Sequence, residues 1–229
     1  MCGRFVQKTP LGEIQVLFET AGPVPNAPPR YNAAPTDNLA AVRFNPQTRT
    51  RALDLLRWGL VPLWAKDPSF GPKCINARRE TVATNNIFRD AFERRRCLIP
   101  ADAFYEWRKR EGKEKPQPYA IMPAEGVFAF AGLWERWSPP GQDGARPVDS
   151  FTIVTTAANR ALAPLHHRMP VVLAPADHSG WLDPAAEASA LLALLRPAAD
   201  DRLRYVPVDR RVNNVRNDDA ALLAQEPPG

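Results

Sequence analysis

Residues 127–137 read VFAFAGLWERW, residues 138–147 read SPPGQDGARP, and residues 150–158 read SFTIVTTAA. Two runs rich in Val, Phe and Ile, parted by a Pro/Gly segment, predict two strands joined by a surface loop. Outward from this pair the pattern returns at PYAIMP (118–123), LAAVRF (39–44), RALDLLRWGLVP (51–62), MPVVLAP (169–175) and LRYVPV (203–208). CLIPADAFYEWRKR (97–110) reads as a strand broken by Pro100. Helical spacing occurs mainly to the sides. In LGEIQVLFETAG (11–22), Leu11, Ile14, Leu17 and Phe18 share a face and Gly22 is the stop. NIFRDAFERRR (86–96) turns Ile87, Phe88, Ala91 and Phe92 inward, and residues 178–198 hold one or two more helices. Residues 23–38 read as a Pro/Asn-rich loop, 64–81 as an irregular polar stretch, and EPPG (226–229) as a frayed tail. The order is not a regular β-α-β alternation. It predicts an α+β fold of one domain over residues 1–229, with a largely antiparallel, barrel-like sheet flanked by short helices.

Composition narrows the function classes. The 229 residues suffice for a proper core, and the 45% hydrophobic and 24% charged fractions are those of an ordinary globular protein. Proline is abundant at 25 residues and is spread along the chain, which predicts many loops and few long helices. No apolar run approaches the ~20 residues that span a bilayer, and no signal peptide is visible, so a cytoplasmic bacterial protein is expected. Three cysteines and three histidines lack the spacing of a disulfide framework or a zinc site, so no metal or other cofactor is expected. Cys74 and Cys97 read as small buried residues. Net charge is +5, and 24 of the 30 basic residues are Arg. Arg favours phosphate contacts, although genomic base composition gives the same bias.

Four polar stretches sit against apolar anchors. Cys2 directly follows the initiator Met. The small second residue favours removal of Met1, which would leave a thiol and a free α-amine on neighbouring carbons. Arg4 would share a strand face with Cys2 and favour its thiolate. In INARRET (75–81), Asn76, Arg78 and Glu80 alternate with period two and could orient a small polar ligand; Asn76 closing a turn and Arg78 as surface charge fit the pattern at least as well. Glu106 stands between Tyr105 and Trp107. It is either a desolvated general acid/base or a solvent-facing partner of Arg108 or Arg110. LHHRMPVVL (165–173) places two His and one Arg before a strand, and one of these His could be only a packed polar residue.

The ordered set MCGRF, RYNAAPT, RWGLVPLWA, INARRET, CLIPADAFYEW, IVTTAAN, LHHRMPVVL and VNNVRND runs from residue 1 to about 217. This set resembles the SRAP (SOS response-associated peptidase) family of abasic-site-processing proteins. The resemblance implies that Cys2, Asn76, Glu106 and His166 are the catalytic positions. It also implies that Arg4, Arg78 and Arg168 contact DNA, and that Pro35, Trp64, Trp107 and Thr155 line a DNA groove or pocket. Ala103 stands where the family usually has Gly, which would strain a backbone needing φ > 0. The implied activity is a covalent thiazolidine crosslink between Cys2 and abasic sites in single-stranded DNA, with an abasic-site lyase side activity. Abasic sites at single/double-strand junctions, a monomeric state and nucleoid association when bound to DNA belong to the same expectation. Two rival readings are a thiol autopeptidase resembling N-terminal-nucleophile hydrolases, and a non-covalent single-strand binder.

Overall fold

The computed structural model describes residues 2–108, 115–142 and 144–225. Its strands, in chain order, are β1 (Phe5–Gln7), β2 (Thr20–Ala21), β3 (Arg30–Ala33), β4 (Asn38–Asn45), β5 (Thr50–Trp58), β6 (Asn76–Arg78), β7 (Arg96–Ala101), β8 (Ala103–Arg108), β9 (Gln117–Pro123), β10 (Phe128–Trp137), β11 (Val148–Ala157), β12 (Arg168–Pro170) and β13 (Leu203–Pro207). The helices are α1 (Leu11–Leu17), α2 (Arg89–Arg94), α3 (His178–Leu182) and α4 (Ala188–Leu194). Among the described residues no helix is long and apolar enough to cross a membrane.

Strands β5, β4, β7, β10 and β11 pair antiparallel in that order, and a parallel pairing of β11 with β5 closes them into a five-stranded barrel. A second, wholly antiparallel sheet has the order β13-β9-β8-β1-β3. Alternate side chains of the barrel strands enter different cores. Phe128, Phe130, Phe151 and Ile153 meet Phe5, Phe104 and Ile121 of the second sheet. Ala129, Ala131, Leu133 and Val154 meet Ile14 and Phe18 from the α1 end, Phe92 of α2 and Trp181 of α3. Both faces are covered, so the strands read as near-continuous apolar runs rather than as clean alternation. This is the expected α+β architecture.

Four local expectations are corrected. Leu17 of α1 is 57% exposed, and only Ile14 and Phe18 of that face are buried. The Pro/Asn-rich stretch contains β3, which pairs with β1 through Phe5↔Ala33. The chain also breaks at Asp102 and not at Pro100, which lies inside β7 opposite Ala129. Continued register would set Ala40 of β4 against Pro100, which has no N–H to give. The Gln7 amide fills that place: its Nε2 donates to Ala40 O (3.0 Å) and Pro100 O (2.8 Å), and its Oε1 accepts from Ala40 N (2.7 Å). Asp102 then turns the chain by accepting from Lys8 N, Thr9 N and Thr9 Oγ1. The motif MPVVLAP supplies a regular strand only over β12, with Val172 in a single bridge to Phe130. The tail 226–229 lies outside the described residues.

The segment that carries Asn76 leaves the barrel through a close backbone crossing. Gly59 has φ = 116°, and a Cβ built on it would lie 2.8 Å from Gly71 C and O. Strain at the left-handed φ and a clash with backbone rather than side chain both oppose substitution. Gly59→Ala is therefore expected to destabilise the fold by about 3 kcal/mol. Urea unfolding monitored by tryptophan fluorescence would show this as a lower midpoint with an unchanged slope.

Candidate active site

Strand β11 organises the site. Its last residues are flanked on one side by β6, with Ile153↔Asn76 and Thr155↔Arg78, and on the other by β12, with Ala157↔Arg168. The residues of INARRET and LHHRMPVVL thus meet across a single strand. The N-terminal segment arrives beside β8, where Phe5 pairs with Phe104 and Arg4 O accepts from Tyr105 N (3.0 Å). This antiparallel run brings Gly3 and Cys2 alongside Glu106. Asn76 Nδ2 donates to Cys2 O (2.8 Å), tying β6 to the start of the chain. Asn76 Oδ1 is buried and has no hydrogen-bond partner among the described residues.

Glu106 is 5% exposed, which overturns its solvent-facing reading; Arg110, named there as one partner, lies outside the described residues. Burial raises its carboxyl above the ordinary carboxylate range, against lowering by the Trp107 N–H and the His167 charge. Cys2 is fully buried. Its thiol is pushed far above the usual range, first by desolvation and then by the charge of Glu106. The expectation that Arg4 favours the thiolate is therefore corrected. Both residues precede β1, and the Arg4 guanidinium turns away to Asn32 Oδ1 (2.9 Å) and Val212 O (2.8 Å). Cys97 and Cys74 are buried as expected, and burial pushes the Cys74 thiol up to about 11.

His166 Nδ1 lies 3.0 Å from Arg168 N and 3.2 Å from Arg168 O, accepting from the first in the Nε2–H tautomer and donating to the second in the Nδ1–H tautomer. His167 stacks on it at 4.4 Å and is exposed. Arg168 makes a two-pronged contact with Glu80 (2.8 and 3.0 Å) and also donates to Thr155 O (2.7 Å). Thr155 is fully buried, and its Oγ1 accepts from Arg168 Nη2 (3.2 Å). Arg78 is exposed and forms no ion pair among the described residues. Trp107 is half-buried and donates from Nε1 to Asn213 Oδ1 (2.7 Å). Trp64 is 58% exposed and stands edge-on to Phe70 at 5.0 Å. Pro35 is half-buried in the turn before β4. Ala103 pairs with Val6 inside β8 and is not among the residues with positive φ, so the Gly-to-Ala departure brings no strain. Asn32, Asn213 and Asp218 were not singled out from the sequence, although two of them lie in the noticed VNNVRND stretch.

The family model for SOS response associated peptidase (SRAP) matches residues 1–215. The chain belongs to the SRAP family. The Bacillus subtilis abasic site processing protein YoaM is 38% identical over 229 residues, covering 99% of each chain. The Escherichia coli abasic site processing protein YedK is 31% identical, covering 97% of this chain and 99% of its own. The Gallus gallus abasic site processing protein HMCES is 33% identical, covering 85% of this chain and 66% of its own. A crystal structure of a Bacteroides thetaiotaomicron protein matches with a TM-score of 0.88 at 20% identity, covering 98% of this chain and all of that one, which shows the shared fold. A Bordetella bronchiseptica structure matches with a TM-score of 0.76 at 28% identity, covering 91% of this chain and all of that one.

In this SRAP protein the buried carboxyl sets a pH dependence. The folded state of Glu106 binds its proton more tightly than the unfolded state does. Stability is therefore lost as pH rises from the ordinary glutamate value, 4.5, through the raised folded value. Glu106→Gln removes that loss. The variant is expected to melt higher than the parent at pH 8 and to converge with it near pH 4, measured by calorimetry across pH.

Proposed function

We propose that this protein processes abasic sites in single-stranded DNA by joining them covalently to Cys2 once Met1 has been removed. One observation carries the reading: Cys2 is held by the Asn76 amide and buried against the desolvated carboxyl of Glu106. The names of the relatives support abasic sites as the substrate.

The chemistry follows from the two neighbouring groups. An abasic deoxyribose equilibrates with a ring-opened aldehyde. The α-amine of Cys2 has an ordinary pKa of ~7.7–8.0, so much of it is neutral at working pH, whereas a Lys amine at ~10.4 is mostly charged. The amine adds to the aldehyde to give a carbinolamine, which loses water to form an imine. The thiol then adds to the same carbon and closes a five-membered thiazolidine, more durable than the imine. Glu106, in its protonated form, donates the proton that lets hydroxide leave as water. As carboxylate it then accepts the thiol proton, which the raised Cys2 pKa retains until a base is beside it. Asn76 fixes the Cys2 carbonyl and offers Oδ1 as an acceptor to the amine. His166, its Nδ1 held against the Arg168 backbone, acts on the sugar hydroxyl during ring opening. The imine also acidifies the adjacent C2′–H, and loss of the 3′ phosphate from it would be the lyase side reaction.

DNA positioning falls to exposed Arg78, and to Arg168 once it shares or exchanges its Glu80 contact. Trp64, Trp107 and Pro35 supply apolar surface on which unstacked bases can rest.

Intact mass spectrometry tests the reading. The purified protein should lack Met1. After mixing with single-stranded DNA carrying one abasic site, it should give a heat-stable adduct of protein plus DNA less one water. Cys2→Ala should abolish the adduct while single-strand binding persists. Salt-sensitive binding that is indifferent to the missing base, with no adduct, would contradict the reading.

A further inference from the structure

The VNNVRND stretch, residues 212–218, has no role in the chemistry above, yet it is bonded to the residues beside both reacting groups. It begins inside a 3-10 turn at Arg210–Asn213, where Asp209 accepts from Arg211 N (2.7 Å). Val212 is fully buried against Val6, Ala103 and Tyr105, on the face of the second sheet opposite Phe5 and Phe104. From this seat the stretch reaches two ways. Val212 O and Asn213 O accept from Arg4 Nη1 (2.8 Å) and Nη2 (3.4 Å), two residues after Cys2. Asn213 Oδ1 accepts from Trp107 Nε1 (2.7 Å), one residue after Glu106. Buried Asn32 locks the stretch in place. Its Oδ1 accepts from Arg4, and its Nδ2 donates to Val212 O (3.1 Å), Asn214 O (3.2 Å) and Asn217 O (2.8 Å). Asp218 accepts from Tyr31 N (2.6 Å) and Asn32 N (2.8 Å), and it pairs with Arg30 (2.6 Å).

Two of these contacts bear on geometry at the reacting atoms. Trp107 directly follows Glu106 in β8, so holding the indole restrains the strand end that carries the carboxyl. Arg4 O receives the Tyr105 N–H (3.0 Å), so holding the guanidinium fixes the rung that sets Cys2 beside β8. Asn213 is exposed and its side chain adds nothing to the core, so bulk stability does not account for the indole bond.

We propose that Asn213 is a positioning residue for the crosslinking reaction: its side-chain oxygen pins Trp107 beside Glu106, while the backbone of the same turn pins Arg4 behind Cys2. The inference rests on the proposed function. It assigns to the C-terminal stretch the task of fixing the acid/base and the nucleophile relative to each other.

The test uses the full chain lacking Met1 and a single-stranded oligonucleotide with one abasic site, with crosslinking followed at single turnover over a range of protein concentrations. Loss of one hydrogen bond to a positioned group predicts that Asn213→Ala lowers the maximal crosslinking rate about threefold to tenfold. Its half-saturating concentration and melting temperature should stay near those of the parent. Asn213→Asp keeps the acceptor oxygen and should restore the maximal rate, while its added negative charge raises the half-saturating concentration. Asn213→Ala in a Trp107→Phe background should cause no further loss of maximal rate, because the indole donor is already gone. A second readout does not depend on crosslinking. The Trp107 indole proton, assigned by its absence from Trp107→Phe spectra, should exchange faster with solvent in Asn213→Ala and at the parental rate in Asn213→Asp. A parental maximal rate in Asn213→Ala, or independent losses from the two substitutions, would overturn the proposal. A parent chain that forms no crosslink would instead overturn the function reading, and indole exchange would then decide the tether alone.

Discussion

The structure depends on one seam, the parallel pairing along the edge of β11. Ser150↔Arg57 and Phe151↔Trp58 close the barrel, and a few residues further the same edge receives Asn76 and Arg78. Trp58 ties the two together. Its indole N–H donates to Ile75 O (3.0 Å), the carbonyl just before Asn76, and its ring meets Phe5 at 4.9 Å and Phe151 at 6.2 Å. Barrel closure, delivery of the amide and seating of the N-terminal segment therefore share one core. Asn76 reaches the Cys2 carbonyl because Trp58 holds both of their segments against β11.

Two kinds of buried charge occur here, and they differ in how they are satisfied. Arg96 is buried with its donors spent on Trp181 O, Phe92 O, Glu93 O and Asp183 O, so it joins α2 and α3 to β7 as a structural group. Glu106 is buried with desolvation dominating its environment, and beside it lies a thiol that its charge makes harder to ionise. Asn76 Oδ1 is also buried without a partner among the described residues. A fold selected for stability alone would fill or neutralise these places. Their concentration around Cys2 is the expected signature of a site whose requirements oppose those of folding.

Much of this was legible in the sequence. The Phe/Val/Ile runs gave strands because both barrel faces are covered. Period two at Asn76 and Arg78 fitted a turn with surface charge at least as well, and the stretch that read as irregular carries β6 there because β11 pairs with it. What stayed hidden was set by distant partners. Nothing local in RYNAAPT announces β3, whose N–H groups are satisfied by Asp218 from the far end of the chain. Pro100 looked like a strand breaker because the Gln7 amide that bridges it is far away in sequence. Arg4 seemed poised to activate Cys2 because two-residue spacing suggests a shared face. Its real partners, Asn32 and Val212, are again non-local. The catalytic roles proposed for Cys2, Glu106 and His166 came from the resemblance carried by the ordered motif set and not from periodicity.

The central claim is that Cys2 supplies both an amine and a thiol to one carbon. The most direct measurement compares Cys2→Ser with the parent, each lacking Met1, on single-stranded DNA with one abasic site, with and without borohydride. Serine keeps the amine and removes the thiol. The parent should give a heat-stable adduct without reductant, and Cys2→Ser should give one only when borohydride reduces its imine. A heat-stable adduct of Cys2→Ser without reductant would show that the thiol is not needed and would contradict the account.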